Sequence, residues 1–263
     1  MFNKILFAFC LIAFISCDSS DDNDGNMTNT DFNYFPLSVT NTWDFEITTG
    51  TDTPSNESLT VETVSGTEFT LTSDPTDPAG FMTRILSGGA LKDENGTLIG
   101  NGNIDFGLQG LSNFNVAIVN GTLYDQNANV NTELFSTTGT TSQTVDVYDL
   151  DITYQVRTVQ QADVAQMVVE GVTYRDIIHS QLIINATIST DVTIGNFTQQ
   201  VPLLDPQDVI VVDNYWSKDI GLIKSDNQLD YELRDYSTLG LTLPVPQSAS
   251  ILTTQNLTTY TVQ

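Results

Sequence analysis

Residues 42–48, Thr-Trp-Asp-Phe-Glu-Ile-Thr, show the pattern on which most of the chain is built. Trp43, Phe45 and Ile47 alternate with acidic and hydroxyl side chains. Successive side chains of a β-strand point to opposite faces of a sheet, so this period of two predicts a strand with one buried and one solvated face. We expect the three apolar side chains to face a core.

The same alternation recurs to the end of the chain. It is found at residues 59–61, 69–71, 145–156, 175–190, 210–216, 229–236 and 251–262. Turn signals at Ser65-Gly66, residues 93–96 and Asn120-Gly121 separate some of these segments, because glycine and asparagine accept a positive φ. Many short strands with little helix predict an all-β, antiparallel fold. It would be a curved sheet or an open half-barrel or sandwich, with at most one or two short helices.

Three stretches predict departures from simple strands. Residues 88–113 contain two clusters of glycine and asparagine, which predict a loop-rich region. Residues 161–169 predict one short helix. The apolar phase changes between Val147 and Leu150, and this change predicts a β-bulge or bend near Tyr148-Asp149.

The N-terminus predicts export and a lipid anchor. Lys4 precedes an apolar run at residues 5–15, which is too short to cross a bilayer and fits the central region of a secretory signal. Phe14-Ile15-Ser16-Cys17 resembles a bacterial lipobox, in which a small residue precedes a cysteine that becomes acylated and N-terminal. The alternative is an ordinary secretory signal that ends near a cysteine. We predict a signal peptide at residues 1–16 and lipidation of Cys17, with the membrane as partner through this anchor.

The next segment, residues 17–31, predicts an acidic, disordered tether after the lipidated cysteine. It carries no aliphatic or aromatic side chain except Met27, so it cannot bury enough apolar surface to fold. The run Asp18-Ser19-Ser20-Asp21-Asp22 resembles the surface-export signal of Bacteroidota lipoproteins, although an aspartate after the cysteine also resembles an inner-membrane retention signal. The longer acidic run favours an outer-membrane lipoprotein that faces the cell surface. Residues 32–263 would then form a single antiparallel β domain.

Charge and cysteine usage limit the partners and the chemistry. The chain has 8 Lys and Arg against 33 Asp and Glu, a net charge of −25. Nucleic acid is excluded as a predicted partner, because its binding needs cations that neutralise phosphates. Of the two cysteines, Cys10 lies in the signal and Cys17 is the lipid site. The mature domain would therefore hold no disulfide and no cysteine ligand or nucleophile.

Two segments carry a family resemblance. Tyr34-Phe35-Pro36-Leu37, followed by Asn41-Thr42-Trp43, resembles the opening motif Y-F-P-L-x-x-G-N-x-W of small Bacteroidota lipoproteins of unknown function, with Thr40 in place of the glycine. Tyr215-Trp216-Ser217-Lys218-Asp219-Ile220-Gly221 resembles the start of W-Y-A-K-G-V-G-L-V-K in the same group and in TapB-like domains. Asp219 replaces its first glycine. The resemblance spans most of residues 34–262. It implies a β-rich fold, such as an open half-barrel, and no reaction.

Catalytic chemistry is not predicted. His179 is the only histidine and shares a strand face with Gln181, Asn185 and Thr187, so we expect it to point toward solvent. A triad needs a histidine beside a nucleophile, and no Gly-x-Ser-x-Gly elbow is present. Zinc would need further His or Cys ligands. Paired carboxylates could hydrolyse glycosides, but 33 acids nominate no pair. We predict no enzyme, no catalytic residue and no cofactor.

The sequence also contains patterns that could bind calcium or sugars. Residues 20–31 partly match a calcium-binding EF-hand loop, and residues 74–78 and 205–208 are acidic stretches that predict turns or weak calcium sites. Trp43 and Trp216 could form a sugar platform, but their alternating positions favour packing in the core.

The sequence therefore predicts a membrane-anchored surface lipoprotein with a non-catalytic β domain. That domain would bind a ligand or an envelope partner, such as a glycan, a lipid or a protein. One alternative is a carrier of lipids or hydrophobic ligands of the half-barrel type, which requires a continuous apolar cavity. The other is a calcium-dependent adhesion module, whose stability would rise with calcium.

Overall fold

A computed structural model of the chain describes residues 33–105, 115–194, 196–236 and 245–263. Contacts divide the chain into Met1–Thr30 and Asp31–Gln263, and every described residue belongs to the second unit. The predicted signal peptide at residues 1–16, Cys17, the tether at residues 17–31 and the EF-hand-like stretch lie outside the described residues. Within the described part, none of the helical structure is long and apolar enough to cross a membrane.

The described residues form strands almost throughout, with one short helix. In chain order the elements are β1 (Thr42–Thr49), β2 (Ser55–Ser65), β3 (Glu68–Asp74), α1 (Phe81–Ser87), β4 (Leu91–Glu94), β5 (Thr97–Asp105), β6 (Asn115–Asp125), β7 (Glu133–Val145), β8 (Tyr148–Gln160), β9 (Val164–Val169), β10 (Val172–Ile194), β11 (Phe197–Ser217), β12 (Gly221–Glu232) and β13 (Ser248–Thr261).

All of these strands join one antiparallel sheet. Their order is β6-β5-β4-β3-β2-β1-β13-β12-β11-β10-β8-β7, and β9 pairs with β10 beside this path. The sheet is so strongly curved that its two outer strands, β6 and β7, approach each other. It therefore nearly closes on itself. The predicted all-β, antiparallel fold with a curved, half-barrel type of sheet is confirmed.

Strands that are consecutive in the chain are mostly neighbours in the sheet, and the first and last strands, β1 and β13, also pair with each other. Thr42 of β1 lies opposite Thr261 of β13, and β1 pairs with β2 on its other side. The opening falls in the middle of the chain instead, between β6 and β7. Each of these two consecutive strands has a paired neighbour on one side only among the described residues.

The inner face of the sheet carries the core. Trp43, Phe45 and Ile47 are at most 2 % exposed, as their alternation predicts, and Trp216 is fully buried. Helix α1 packs on this face through five of its seven residues. The predicted core packing of Trp43 and Trp216 is therefore confirmed.

Glu57 of β2 and Gln255 of β13 hold the start of α1. Glu57 Oε1 accepts hydrogen bonds from the backbone N–H groups of Ala79 and Gly80, the second at 2.9 Å. Gln255 Nε2 donates to Thr83 Oγ1 at 3.0 Å. Since the helix has no side-chain cap of its own, these two strands supply the polar contacts at its first turn.

Several local predictions were wrong, and tertiary pairing explains each of them. Within residues 161–169, Val164–Val169 form the whole of strand β9 instead of a helix, because Glu170 and Gly171 adopt positive φ values and turn the chain into a hairpin with β10. Residues 88–113 contain strands β4 and β5, joined at the predicted turn at residues 93–96. The remainder of that stretch, from residue 106, lies outside the described residues.

The predicted bulge near Tyr148-Asp149 and the predicted turn at Asn120-Gly121 are also different structures from those expected. The phase change near Tyr148-Asp149 is a two-residue hairpin turn, with Asp146 at φ 56° between the paired residues Val145 and Tyr148. Asn120-Gly121 is not a hairpin. It lies inside β6, where Asn120 has a φ of 53° and the register with β5 shifts. The acidic stretch at residues 205–208 is not a turn but part of β11.

Candidate functional site

A recessed polar surface forms where β10 leaves the main sheet. From Ile177 onward β10 pairs with β11, whereas Val172 to Arg175 pair with β9 only. Asp176 marks the break with a φ of 52°, and its carbonyl accepts a hydrogen bond from the Lys218 N–H at 3.1 Å. The β9–β10 hairpin thereby leaves the ladder with β11, and its tip lies against β13, where Asn256 Nδ2 donates to Glu170 Oε1 at 2.9 Å.

The N-terminal arm, residues 33–37, lies at the base of this hairpin. The Asp219 N–H donates to the Asn33 carbonyl at 2.6 Å, and the Asn33 side chain accepts from the Phe35 N–H at 2.9 Å. Phe35 is fully buried and stacks on Trp43 with ring centroids 4.6 Å apart. Because Phe35 is fixed in the core, the preceding Tyr34 is held at the base of the hairpin.

A recess of about 260 Å³ lies there. It is lined by Tyr34, Asp163, Val164, Ala165, Asp176 and Ile177. Three separate segments supply these residues: the arm, the link from β8 into β9, and the break in β10. The lining combines an aromatic ring and aliphatic side chains with two carboxylates, which is the composition of a small binding site.

The recess is electrostatically negative. Partial burial raises the pKa of the Tyr34 hydroxyl above its ordinary value, and Asp163, Asp176 and Asp219 raise it further. Burial also raises the pKa of the Asp163 carboxyl, although the nearby His179 imidazole acts in the opposite direction. Asp163 is exposed as a whole residue, and it lines the recess, so its carboxyl is only partly desolvated. A cation bound in the recess would lower the pKa of both groups toward their ordinary values.

His179 lies beside this recess on the outer face of the sheet. Its Nε2 is 2.8 Å from Asp213 Oδ1, and its ring stacks on Tyr215 with centroids 4.5 Å apart. Gln181 donates to the same Asp213 oxygen at 3.1 Å. The predicted outward face is therefore right, but the side chain is only 18 % exposed, because Tyr215 covers it. The pair fixes the orientation of the imidazole toward Asp213.

The acidic stretch at residues 205–208, one of the two that predicted turns or weak calcium sites, is engaged in ion pairs. Arg234 forms two parallel bonds to Asp205, at 2.7 and 2.8 Å. Asp208 pairs with Arg157 at 3.3 Å and accepts from Asn185 at 2.9 Å. Across the described ranges, no group of three or more His, Cys, Asp or Glu side chains is arranged to hold a metal ion.

Comparisons with protein-family models, curated proteins and solved structures gave no significant match. The family resemblance of the two sequence motifs therefore remains a prediction. The structure does place both motifs together: Trp43 Nε1 donates to the Ile220 carbonyl at 2.6 Å, and the Phe35 ring meets Trp216 edge-on at 5.6 Å. These residues are packed against one another, as a structural role requires.

Sequence reasoning missed the recess itself. Tyr34 stood out only as part of a motif, while Asp163 and Asp176 were two among many acids. The signal that could have located them is Glu170-Gly171, a two-residue turn between apolar runs, which favours a β9–β10 hairpin over a helix.

Proposed function

We propose that this protein is a membrane-anchored, surface-exposed lipoprotein of the outer membrane, and that its β domain is a non-catalytic binding module. The recess between the N-terminal arm and the β9–β10 hairpin is its ligand site. The group that fits this site is a cation on an apolar stem, such as the amine or guanidinium of a small molecule or of an envelope protein.

The recess lined by Asp163 and Asp176 is the observation that carries the binding role. A cationic group there would be attracted by Asp163, Asp176 and Asp219 together, and its stem would contact Val164 and Ile177. Partly desolvated carboxylates interact more strongly with a cation than carboxylates in bulk water do. The site therefore favours a charged head group over a neutral one of equal size.

The place of the recess supports the anchored role. Tyr34 is three residues beyond the predicted tether at residues 17–31, so one residue of the recess is close along the chain to the proposed anchor. If residues 18–31 form the predicted tether, a chain of that length would have a root-mean-square span of roughly 20 Å. A partner bound in the recess would be held within a few tens of ångströms of the membrane surface, which suits an envelope component.

The hydrophobic-carrier alternative gains no comparable support. In the described interior, α1 occupies the inner face of the sheet. The recess beside it, lined in part by Ile85 and Leu123, holds about 10 Å³, space for about one water molecule. A lipid chain needs a continuous apolar cavity of several hundred Å³.

The binding role is tested with butylguanidinium, with butanol as the uncharged control, titrated into the protein and followed by NMR. We expect shifts at Tyr34 and Ile177 with the cation only. Asp163→Asn and Asp176→Asn should each weaken binding about tenfold, whereas Asp52→Asn, in the exposed β1–β2 turn, should not. Equal shifts with butanol, or none with either probe, would rule out a cation site.

The anchor is tested separately in cells. A Cys17→Ala chain should leave the membrane fraction, and replacing residues 18–24 by glycine and serine should remove accessibility to external protease. If the Cys17→Ala chain still fractionates with the outer membrane, the lipid anchor is wrong. That result would leave the binding experiment unaffected.

A further inference from the structure

Strand β7 is an edge of the sheet: it pairs with β8 on one side, and β6 approaches it without forming a ladder among the described residues. Natural edge strands are usually protected by lysine, proline, bulges or inward charges. From Leu134 to Val145, β7 carries no charged residue and no proline, and its register with β8 is regular from Phe135 onward. The opposite edge, β6, is irregular instead, with Asn120 in a left-handed conformation and two register shifts.

The sequence of this edge is a palindrome. Residues 136–142 read Ser-Thr-Thr-Gly-Thr-Thr-Ser, with Gly139 at the centre. Two copies of an antiparallel strand related by a twofold axis through Gly139 would place each residue opposite one of its own kind. Ser136 would face Ser142 of the second copy, and Thr138 would face Thr140. Cross-strand pairs of threonine and serine stabilise sheets.

The backbone of β7 has the matching hydrogen-bond phase. The two-residue turn makes Val145 and Tyr148 a hydrogen-bonded pair, so odd-numbered residues of β7 direct their N–H and C=O groups toward β8. Even-numbered residues direct theirs outward. In the twofold arrangement those outward residues face one another, whereas Gly139 faces its own copy at a pair without hydrogen bonds.

The absence of charged side chains from Leu134 to Val145 of β7 favours this strand for contact between copies. The chain carries a net charge of −25, so most pairs of its surfaces repel each other. Two acids of the neighbouring strand, Asp151 and Asp149, accept hydrogen bonds from Ser142 and Thr144 of β7, at 2.9 and 2.6 Å. The edge therefore presents hydroxyl groups and backbone to a second copy.

We propose that β7 is a self-association surface, at which two copies of this chain pair edge to edge about Gly139 and continue the sheet across the dimer. Closed twofold dimers use one patch on both copies, as this arrangement does. A strand-to-strand contact is small, so the affinity in solution should be weak. Confinement of both copies to one membrane would raise their effective concentration. The inference stands independently of the proposed ligand.

Disulfide trapping in membranes of cells that express the full chain tests the register. Ser136 and Ser142 are exposed and would oppose each other about 5.5 Å apart between Cα atoms, within disulfide range. Within one chain they are six residues apart on an extended strand, about 20 Å, so they cannot bridge internally. We expect the Ser136→Cys/Ser142→Cys double variant to form an oxidised dimer, and each single variant to give at least fivefold less.

A charge substitution tests the same contact. Thr140→Lys in the double-cysteine chain should lower cross-linking at least fivefold, because two like charges would meet near the axis. Thr72→Lys, at an exposed position of β3, is the matched control and should leave it unchanged. Single variants that cross-link as well as the double variant would overturn the proposal. So would a double variant whose thiols react with maleimide but give no dimer, or an unchanged yield with Thr140→Lys.

Discussion

Thr40 holds a backbone conformation that threonine rarely adopts. Its φ is 77°, in the left-handed region, and its N–H donates to the Val61 carbonyl at 3.2 Å. Asp219 has a φ of 60°. Both residues stand where the motifs they resemble have glycine, so each position requires a positive φ.

Thr40→Gly should therefore stabilise the protein. A left-handed conformation costs an L-residue roughly 1–2 kcal/mol, and part of the gain is offset by the greater freedom of glycine in the unfolded chain. We expect a gain of about 1 kcal/mol, or about 3 °C in Tm, by thermal and urea unfolding. Asn95→Gly, at φ 54° in an exposed turn, is the control and should change little, since asparagine tolerates this region. A loss of stability in Thr40→Gly would show that the left-handed conformation of Thr40 is not strained.

The Asp163 carboxyl predicts a pH-dependent stability. Burial raises its pKa in the folded state, so folding disfavours its charged form. Above the folded pKa the ionised group costs stability, and this cost disappears as the pH falls below the ordinary range of an aspartate, where both states are protonated. Asp163→Asn should be more stable than the parent at pH 7 and equal to it at pH 3, by urea unfolding. An equal difference at both pH values would contradict this assignment.

At the scale of elements, α1 depends on residues far from it in sequence. Glu57 is 3 % exposed, and its Oε2 has no hydrogen-bond partner among the described residues, as is also true of Gln255 Oε1. Both oxygens approach Gly80, where a Cβ would lie 2.7 and 2.8 Å from them. Two buried acceptors thus meet on one side of the backbone with no donor between them, while Glu57 Oε1 satisfies the start of the helix.

Glu57→Gln should therefore be neutral or stabilising, and Glu57→Ala strongly destabilising. The glutamine keeps an oxygen for Ala79 and Gly80 and supplies a donor near Gln255 Oε1. Alanine leaves the buried Gly80 N–H and the partly buried Ala79 N–H without this acceptor, which costs about 3 kcal/mol. Urea unfolding of both variants measures the difference. If the glutamine costs as much as the alanine, the negative charge of Glu57, and not its hydrogen bonds, holds the helix.

The sequence predicted the elements whose pattern is local and missed those that another strand decides. The alternation at Trp43 and the turn at residues 93–96 needed no tertiary information. By contrast, Val164 to Val169 have no clear period and become a strand only through pairing with β10. The face of His179 followed from its strand, but its cover by Tyr215 depends on a neighbour 36 residues away. The recess joins three such segments, so no single pattern indicates it.

At the scale of the whole molecule, β1 and β13 form the pairing most distant in sequence, while β6 and β7 are adjacent in the chain and not joined by a ladder. The link between β6 and β7 contains two turns, in which the Ala128 N–H donates to the Asp125 carbonyl and the Thr132 N–H donates to the Asn129 carbonyl, both at 3.1 Å. A cut between Ala128 and Asn129 would break neither of these hydrogen bonds. The chain could thus begin at Asn129 and end at Ala128 without loss of strand pairing.

A circular permutant opened there, with residue 263 joined to residue 33, should refold faster than the parent, because its β13–β1 pairing becomes local. We expect at least a fivefold increase in the refolding rate by stopped-flow fluorescence of the two tryptophans, with Tm within a few degrees. A permutant opened between Asp146 and Val147 is the control, since it carries the same join but makes the β7–β8 pairing distant, and it should refold more slowly than the first permutant. A first permutant that refolds no faster than the parent would show that the β13–β1 closure does not limit folding.

The arm at residues 33–37 also decides how the domain would carry a mechanical load. If the preceding segment is anchored in a membrane, any drag on the domain is transmitted through Asn33. The first structures to resist it are the Asp219–Asn33 bond and the Phe35 ring between Trp43 and Trp216. The ladder between β1 and β13 comes under tension only after this ring is withdrawn. The buried phenylalanine is therefore a mechanical stop that keeps tension on the tether from reaching the sheet.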